Sequence, residues 1–386
     1  MTYMTDERRM IQETAREFAM KEVLPIANKL DPERGDIPMS LREKMAEMGY
    51  FGVLLPEEYG GLGLGCFEYC LIVEELARAW MSVASIIFRG NGMIGWQQMS
   101  EEQKKNYLPR IARGEFLGAF AMSEPGTGSD VAGVSTRAVK DGDSYLITGN
   151  KYWCTFADGA DYLMVIARTS PPEPKRRHAG MSMFIVPKKR GELPPGVQGA
   201  PIPKIGYFGW KTWELAFDNC RVPAENLIGE EGKAFYYATA GLEIPRAMTA
   251  ARSIGLARAA LEDAMAYSQE RVQFGQPIGE FQAIRFKIAQ MATEIEAARQ
   301  LMYFVNDAID TGRRCDKEAA MVKYYAAEMS ERVTSEGMQI LGGAGYTTLH
   351  AMERHWRDAR LTKIFEGTSE IQLRVISDAL LGKVKK

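Results

Sequence analysis

The sequence predicts a multidomain α+β protein that consists of a helical N-terminal domain, an antiparallel β-domain and a C-terminal four-helix bundle. The length of 386 residues exceeds what one small domain needs. Helical periodicity fills both ends of the chain, whereas short β-rich runs separated by Gly, Pro, Asp and Asn fill its middle. We therefore predict domains at residues 1–114, 115–225 and 226–386.

The first domain is predicted to be mostly helical. Thr5 is a suitable cap for a first helix, and residues 41–48 and 67–79 show the periodicity of two more. The segment at 56–65, PEEYGGLGLG, is predicted to form a loop, because its glycines permit backbone conformations that other residues resist.

The middle domain is predicted from runs rich in β-branched and aromatic residues, which favour a sandwich or barrel of antiparallel strands. The basic, proline-rich stretch at 170–180 is predicted to be an exposed loop between two of these strands. The runs are FLGAFAM, VSTRAVK, SYLITG, YLMVIAR, MSMFIVP and TWELAFD.

The C-terminal domain shows the spacing of a helix bundle. Four helical segments, at 230–268, 280–311, 316–340 and 368–381, are joined by short connections. The second segment carries apolar residues in alternating steps of four and three, which is the pattern of a buried seam. These residues are Ile284, Ile288, Met291, Ile295, Ala298, Met302, Val305 and Ile309.

Bulk composition argues against several functional classes. The chain has 48 basic and 50 acidic residues and a net charge of -2, which does not favour binding to nucleic acid or to a membrane surface. The charged N-terminus is unlike a secretory signal, and no run reaches the ~18 apolar residues that span a bilayer. We therefore predict a cytoplasmic protein with no nucleic-acid or membrane partner.

Cysteine and histidine usage offers little material for a metal site. The five cysteines are odd in number and scattered, which is typical of reduced thiols. Cys66 and Cys70 are spaced i, i+4, where zinc binding and ordinary packing are the two interpretations. With only three histidines and no HExxH motif, we predict no metal.

A glycine-rich motif at residues 90–95, GNGMIG, matches the GxGxxG pattern of dinucleotide-binding folds and follows the apolar run VASIIF. Such a site requires a βαβ unit, whereas this match lies in a predicted helical domain. A nicotinamide-dependent enzyme and a glycine-containing helix junction are the two interpretations.

Two segments of the middle domain could hold a cofactor. MSEPGTGSD, at 122–130, offers the hydroxyls of Ser123 and Ser129 with two glycines, which suit an anionic or heteroaromatic edge. A plain strand-to-loop turn is the alternative. Strand alternation places Trp153 and Thr155 on one face, where an indole suits a flat cofactor and a core tryptophan is the alternative.

Five motifs, taken together and in this order, resemble the acyl-CoA dehydrogenase family across essentially the whole chain. The resemblance implies the same three-domain order that we predict above, assembled as a homotetramer that is a dimer of dimers. The motifs are PEEYGGLG (56–63), MSEPGTGSD (122–130), RVQFGQPI (271–278), QILGGAGY (339–346) and IFEGTSEIQ (364–372).

The resemblance implies FAD as the cofactor. Residues implied to surround the isoalloxazine ring are Met122, Ser123, Ser129, Trp153, Thr155, Thr368 and Glu370. A second set is implied to bind the ADP half of a neighbouring subunit's FAD, and it includes Arg271, whose guanidinium fork suits a pyrophosphate. Taken alone, Arg271 would be a solvated helix charge. This set is Arg271, Phe274, Gln282, Gln339, Gly342 and Gly343.

The resemblance implies Glu366 as the catalytic base, expected in an apolar pocket. The implied reaction is α,β-dehydrogenation of an acyl-CoA: Glu366 removes the α-proton, a hydride leaves the β-carbon for flavin N5, and a trans-2-enoyl-CoA results. Taken alone, Glu366 would be a carboxylate that complements a helix N-terminus.

Four residues are predicted to bind the substrate. Glu243 and Arg246 match the family's acidic residue and Arg near the pantetheine and nucleotide of CoA, although a helix-surface ion pair is the alternative. Gly367 is a further predicted substrate-binding residue. Arg89 lies in an apolar setting where a cation needs a partner. We hypothesise that Arg89 binds a distal carboxylate on the acyl group, as in a (2R)-benzylsuccinyl-CoA-like thioester. The alternative is that Arg89 reaches solvent or pairs with a neighbouring helix.

Aromatic side chains near Arg89 would tolerate a ring on the substrate. Phe88, Trp80 and Trp96 are the candidates. The implied electron acceptor is an electron-transfer flavoprotein. An acyl-CoA oxidase, an enoyl-CoA reductase and a non-catalytic flavoprotein or acyl-CoA-binding scaffold are the alternatives at this point.

Overall fold

The computed structural model describes residues 3–91 and 96–384. Its N-terminal part is helical, as predicted, and Thr5 caps the first helix by accepting a hydrogen bond from the Arg8 backbone N–H at 3.2 Å. Segment 56–65 is a loop apart from one short turn. The helices are α1 (Asp6–Phe18), α2 (Leu24–Leu30), α3 (Met39–Glu47), α4 (Cys66–Ala79), α5 (Met81–Ile86), α6 (Phe88–Asn91) and α7 (Glu101–Ala112).

The run that precedes the GxGxxG motif is helical, not a strand. VASIIF lies in α5 and the start of α6, so the dinucleotide-fold interpretation is wrong at this position. Gly90 is needed for packing, because a Cβ there would lie 2.1 Å from the backbone oxygen of Phe51. Residues 92–95 of the motif lie outside the described residues.

The middle of the chain forms a seven-stranded sheet with the order β1-β4-β2-β3-β7-β6, in which β5 also pairs with β4. The strand at 197–201 was not predicted. Each of the other six strands overlaps one of the β-rich runs that the sequence predicts. The strands are β1 (Gly118–Ala121), β2 (Arg137–Asp141), β3 (Ser144–Thr155), β4 (Tyr162–Arg168), β5 (Met181–Pro187), β6 (Val197–Pro201) and β7 (Thr212–Pro223).

The sheet is mostly antiparallel, but β4 runs parallel to both β1 and β2. The prediction of an antiparallel domain is therefore corrected at these two pairings. A parallel pair requires a long crossover, and the chain supplies one, because β2 and β3 intervene between β1 and β4. The stretch at 170–180 is the loop between β4 and β5 and is largely exposed, as predicted.

The C-terminal region is helical, and α9, α10, α11 and α13 correspond to the four predicted segments. The first begins at Glu243 instead of residue 230, because Gly241, with φ of 71°, separates it from a short helix. Helix 352–362 was not predicted. The elements are α8 (Ala234–Thr239), α9 (Glu243–Glu270), a hairpin of β8 (Val272–Gln273) and β9 (Gln276–Pro277), α10 (Gln282–Asp310), α11 (Asp316–Leu341), α12 (Met352–Thr362) and α13 (Ser369–Leu381).

The predicted seam of α10 is confirmed, since Met291, Ile295, Ala298, Met302 and Val305 are buried and its other three members are partly buried against the same core.

Buried ion pairs join the N-terminal and C-terminal helices. Glu74 and Glu75 of α4 are almost fully buried, and Arg258 of α9 donates to Glu74 Oε1 at 3.0 Å and to Glu75 Oε1 at 2.7 Å. Arg299 of α10 also donates to Glu74, at 3.0 Å. Because buried carboxylates require such partners, these contacts fix α4 against the bundle.

Among the described helices, none has both the length and the apolar character needed to cross a bilayer. Cys66 Sγ lies 3.9 Å from Cys70 Sγ, and both thiols are buried and free. No set of three His, Cys, Asp or Glu side chains within residues 3–91 and 96–384 is arranged to hold a metal ion. The Cys66 thiol also lies 3.7 Å from Asn306 Oδ1.

A buried ion pair fastens the loop after β1 to strand β3. Lys151, fully buried, donates to Glu124 Oε1 at 2.9 Å and to the Met122 carbonyl oxygen at 3.0 Å. Glu124 also accepts from the backbone N–H groups of Ser135 and Thr136. Burial opposes ionisation of Glu124, but Lys151 and these donors together lower its pKa to about 2.

We predict that Lys151→Met destabilises the protein by about 3–5 kcal/mol, because it leaves the Glu124 carboxylate buried without a counter-charge. Urea unfolding followed by circular dichroism measures this loss. The double variant Lys151→Met with Glu124→Gln should recover part of the stability. A double variant as unstable as the single one would contradict a charge-based role for the pair.

Candidate active site

The loop after β1 presents hydroxyls and open glycines beside strand β3. The Ser123 carbonyl oxygen accepts the Tyr152 N–H at 2.8 Å, which brings the predicted residues Met122 and Ser123 next to the β3 segment that contains Trp153. Ser129 is exposed on the same loop. No described atom lies within 4 Å of where a Cβ would stand on Gly126 or Gly128, so this part of the loop is open to a ligand.

Trp153 projects from an irregularity in β3. The pairing with β7 shifts register between Lys151 and Cys154, and Trp153 adopts a φ of 61°, in the left-handed region. Its indole is 56% exposed, so the core-tryptophan interpretation is wrong. Thr155 follows, and its hydroxyl lies 3.0 Å from that of Thr212. Simple strand alternation therefore does not describe this segment, although both side chains remain accessible.

The second predicted set gathers at one end of the bundle. Helices α10 and α11 are antiparallel, and the ion pairs Lys287–Glu336 and Glu294–Arg332 fix their register. This register places the start of α10, with Gln282, beside the end of α11, with Gln339. The hairpin between α9 and α10 enters at the same end. All six predicted residues are exposed: Arg271, Phe274, Gln282, Gln339, Gly342 and Gly343.

Backbone geometry at that end leaves room for a ligand. Phe274 and Gly275 both have positive φ, 54° and 81°, as a two-residue hairpin turn requires. Phe274 is 95% exposed. Gly342 also has a positive φ, and a Cβ on Gly342 or Gly343 would meet no described atom within 4 Å.

Glu366 stands in a tightly held loop before α13. Glu366 and Gly367 have positive φ, 52° and 88°. The buried Lys323 donates to the Gly367 carbonyl oxygen at 2.6 Å and to that of Thr362 at 2.8 Å. Burial lowers the pKa of Lys323 to about 8. Thr368 caps α13 by accepting the Ile371 N–H at 3.3 Å, and Glu370 is exposed in its first turn.

The surroundings of the Glu366 carboxylate are polar, so the expectation of an apolar pocket is wrong. Glu366 Oε2 lies 2.7 Å from Thr249 Oγ1 and forms an ion pair with Arg252 Nη2. The guanidinium of Arg252 is also 4.7 Å from the centre of the Phe365 ring. The Glu366 side chain is 29% exposed, whereas that of Arg252 is 1% exposed.

Arg89 faces the same site. Its guanidinium lies 5.2 Å from the centre of the Trp210 ring, and its Nε is buried without a hydrogen-bond partner among the described residues. Burial lowers the pKa of Arg89, Arg252 lowers it further, and Tyr207 and Glu366 oppose this change. The described part of the chain offers Arg89 no ion pair, and the residue is half-buried.

Aromatic rings surround the two arginines. Tyr207 packs edge-on against Trp210, at 5.2 Å between ring centres, and against Phe365, at 5.9 Å. Its backbone N–H donates to the buried Asp358 at 2.6 Å, which holds this loop on α12. Trp80, by contrast, belongs to the core, because it is 1% exposed and its indole N–H donates to Asp31 at 3.1 Å.

The pair near the start of α9 is not a surface ion pair. Arg246 is buried, and burial lowers its pKa. Burial raises the pKa of Glu243, and the neighbouring Asp316 carboxylate raises it further. No direct ion pair joins Glu243 and Arg246 in the described residues.

The sequence interpretation overlooked Thr249, Arg252, Tyr207 and Lys323. Arg252 carried a usable signal, because it interrupts an alanine-rich apolar stretch of α9 in the same way that Arg89 interrupts its own helix. Tyr207 and Lys323 gave no such signal, since their roles depend on which loop folds against them.

Comparison with known proteins agrees with this arrangement. Three family models match: acyl-CoA dehydrogenase N-terminal domain at residues 5–115, middle domain at 119–220 and C-terminal domain at 232–381. The (2S)-methylsuccinyl-CoA dehydrogenase of Cereibacter sphaeroides is 40% identical over 97% of this chain and 70% of its own length. The caffeyl-CoA reductase-Etf complex subunit CarC of Acetobacterium woodii is 39% identical over 99% of this chain and 100% of its own.

Solved structures give the same result. A glutaryl-CoA dehydrogenase in complex with glutaryl-CoA superposes with a TM-score of 0.91 at 35% identity, over 98% of this chain and 96% of that one. A Mycobacterium smegmatis glutaryl-CoA dehydrogenase in complex with FADH2 has a TM-score of 0.90 at 28% identity, over 99% and 96%. The chain therefore belongs to the acyl-CoA dehydrogenase family of FAD-dependent oxidoreductases that act on CH–CH groups.

Proposed function

We propose that this protein dehydrogenates an acyl-CoA whose acyl group carries a distal carboxylate and an aromatic or alicyclic ring, as in a benzylsuccinyl-CoA-like thioester. The observation that carries the proposal is Arg89, a half-buried residue whose Nε is buried without a hydrogen-bond partner and which forms no ion pair among the described residues. A carboxylate on the substrate would supply a counter-ion.

The described residues fit FAD in two places. The exposed indole of Trp153, the Thr155 hydroxyl and the open loop at 122–130 suit a flat heteroaromatic ring. Arg271 and the open Gly342 and Gly343 suit a pyrophosphate that the backbone must approach closely. When bound, FAD would accept the hydride that leaves the β-carbon of the substrate.

Glu366 is the proposed base, because it is the carboxylate in this site with partial exposure and a side chain that can reach a ligand. The backbone at Glu366 and Gly367 has positive φ angles, and Lys323 holds it by donating to the Gly367 carbonyl oxygen. This contact fixes the position of the Glu366 backbone, from which the carboxylate extends. The Glu366 N–H is the proposed donor to the thioester oxygen, which makes the α-proton more acidic. Glu243 and Arg246 are proposed to lie near the pantetheine and nucleotide of CoA, and Gly367 is proposed to contact the substrate.

Relatives support a substrate with a second carboxylate. The names of two of them, (2S)-methylsuccinyl-CoA dehydrogenase and the glutaryl-CoA complex of glutaryl-CoA dehydrogenase, specify monothioesters of dicarboxylic acids. Trp210 lies against Arg89, and Tyr207 packs against both Trp210 and Phe365; we propose that this aromatic cluster favours an additional ring on the acyl group. Phe88 and Trp96 are half-buried and remain candidates, whereas Trp80 does not.

The electron acceptor is proposed to be an electron-transfer flavoprotein, and the site of action the cytoplasm. A relative named as a subunit of a reductase-Etf complex supports the acceptor. That relative is a reductase, so enoyl-to-acyl reduction by the same groups is a second candidate. Anaerobic mixing of the oxidised enzyme with acyl-CoA, and of the reduced enzyme with enoyl-CoA, compares the two directions.

A homotetramer, as a dimer of dimers, is the proposed assembly. Phe274, Tyr346 and Leu349 are 95%, 80% and 87% exposed at the end of the bundle that carries Arg271, a concentration of apolar surface that is typical of an interface. A neighbouring subunit seated there would bring its own FAD to Arg271.

We predict that Glu366→Gln abolishes flavin bleaching by every acyl-CoA, because the amide cannot accept the α-proton. The variant should keep the absorbance of bound FAD but melt at a lower temperature than wild type, because the buried Arg252 loses its counter-ion. Anaerobic stopped-flow spectroscopy measures the bleaching. Residual bleaching within a factor of ten of wild type would assign the base to another residue.

Arg89→Met is expected to lower kcat/KM for a carboxylate-bearing acyl-CoA by about 10- to 100-fold, because a charge-assisted hydrogen bond contributes about 1.5–3 kcal/mol. The analogue in which a methyl group replaces the carboxylate should lose little. Arg42→Met is the matched control, since Arg42 also lies over an aromatic ring, that of Phe156, but has Arg190 and Asp161 as its charged neighbours. Equal losses on both substrates would exclude a carboxylate-binding role for Arg89.

We expect Arg271→Ala to weaken FAD retention, because the pyrophosphate loses a bidentate partner. Equilibrium dialysis of FAD and light scattering of the apo and holo forms measure retention and assembly. Arg313→Ala, an exposed arginine at the far end of α10, is the control. Unchanged FAD affinity would remove Arg271 from the cofactor site.

A further inference from the structure

Arg252 is a buried arginine that engages the proposed base. It is 1% exposed and donates to Ser85 Oγ at 2.9 Å and to Thr249 Oγ1 at 3.0 Å, while its ion pair goes to Glu366. Its Nε has no partner among the described residues. These contacts and the Phe365 ring fix Arg252 in place.

This ion pair conflicts with the proposed role of Glu366. A carboxylate that accepts hydrogen bonds from a guanidinium and a hydroxyl has part of its lone-pair capacity occupied. If Glu366 took up a proton in this arrangement, Arg252 would be left as a buried charge without a counter-ion, which is strongly unfavourable. Glu366 must therefore leave Arg252, or Arg252 must gain another anion, before proton transfer becomes favourable.

The site contains an excess of positive charge that can attract such an anion. Arg89 and Arg252 face it, and Glu366 is the one carboxylate that pairs directly with either of them in the described residues. Ser85, which contacts Arg252, lies one helical turn before Arg89 in the sequence, so the two guanidinium groups approach the site from neighbouring positions. A carboxylate held at Arg89 would therefore also be near Arg252.

We propose that Arg252 is a substrate-controlled latch on the catalytic base: the distal carboxylate of the substrate replaces Glu366 at Arg252 and so frees Glu366 to take the α-proton. The proposal rests on the proposed function above. Glu366 is the partner that moves, since its side chain is 29% exposed whereas Arg252 is enclosed. An acyl-CoA without the carboxylate leaves the latch closed, so Arg252 selects the substrate class as well as binding it.

The test compares the rate of anaerobic flavin bleaching with two substrates, a benzylsuccinyl-CoA-like thioester and its analogue with methyl in place of the carboxylate. Wild type should bleach faster with the first. Arg252→Gln should raise the rate with the methyl analogue by about tenfold, because Glu366 loses its charge-assisted hydrogen bond to Arg252 and is free to react. The same variant should lower the rate with the carboxylate substrate by about tenfold or more, because the substrate carboxylate loses its charge-assisted hydrogen bond to Arg252. Arg252→Lys, which keeps the charge, should retain the wild-type preference.

A merely structural role for Arg252 would lower both rates together, and that result would overturn the proposal. Wild type that bleaches equally with both substrates would overturn the proposed dicarboxylic substrate and the latch with it, so the two failures are distinguishable. The absorbance of bound FAD and the melting temperature establish that each variant is folded.

If Arg252→Gln does not fold, a crystal structure of the wild-type protein with a non-oxidisable, carboxylate-bearing thioester tests the proposed exchange of partners at Arg252. It should show the ligand carboxylate on Arg252 and Glu366 turned towards the α-carbon. An intact Arg252–Glu366 ion pair beside a bound ligand carboxylate would contradict the latch.

Discussion

The ion pair between Glu366 and Arg252 is the interaction on which the proposed chemistry of this site depends. It places Glu366, the proposed base, in contact with a guanidinium that is shielded from water. In such surroundings a charge is stable only with a partner, so any movement of Glu366 is coupled to the arrival of another anion. Charge balance therefore links substrate identity to the state of the base.

The loop that carries Glu366 is held by main-chain contacts more than by its own side chains. Lys323 donates to carbonyl oxygens on both sides of the loop, and Ser369 N–H closes it onto the Lys363 carbonyl oxygen at 3.0 Å. The loop can thus keep its strained backbone while the carboxylate exchanges partners. A rigid backbone with a movable side chain suits a carboxylate that is proposed to pair with Arg252 before the substrate binds and to turn towards the substrate afterwards.

Sequence patterns predicted the domain order and the bundle seam, because periodicity is a local signal, and the cation at Arg89 in an apolar run prompted the hypothesis of an anion-binding role. They failed where distant segments decide the outcome. The parallel pairing of β4, the left-handed turn at Trp153 and the polar contacts of Glu366 all depend on partners that lie far away in the chain. Arg252 was predictable in principle, by the reasoning applied to Arg89, but its partner was not.

Trp153 carries a further consequence. A bulky residue in the left-handed region costs roughly 1–2 kcal/mol, which glycine at the same place would largely avoid. On the proposal that this indole contacts the flavin, the backbone cost is the consequence of placing the ring beside the cofactor, and flavin binding would help to offset it. Folding and flavin binding are then linked by mass action, and riboflavin shortage should lower the amount of this protein that survives proteolysis, before it limits turnover.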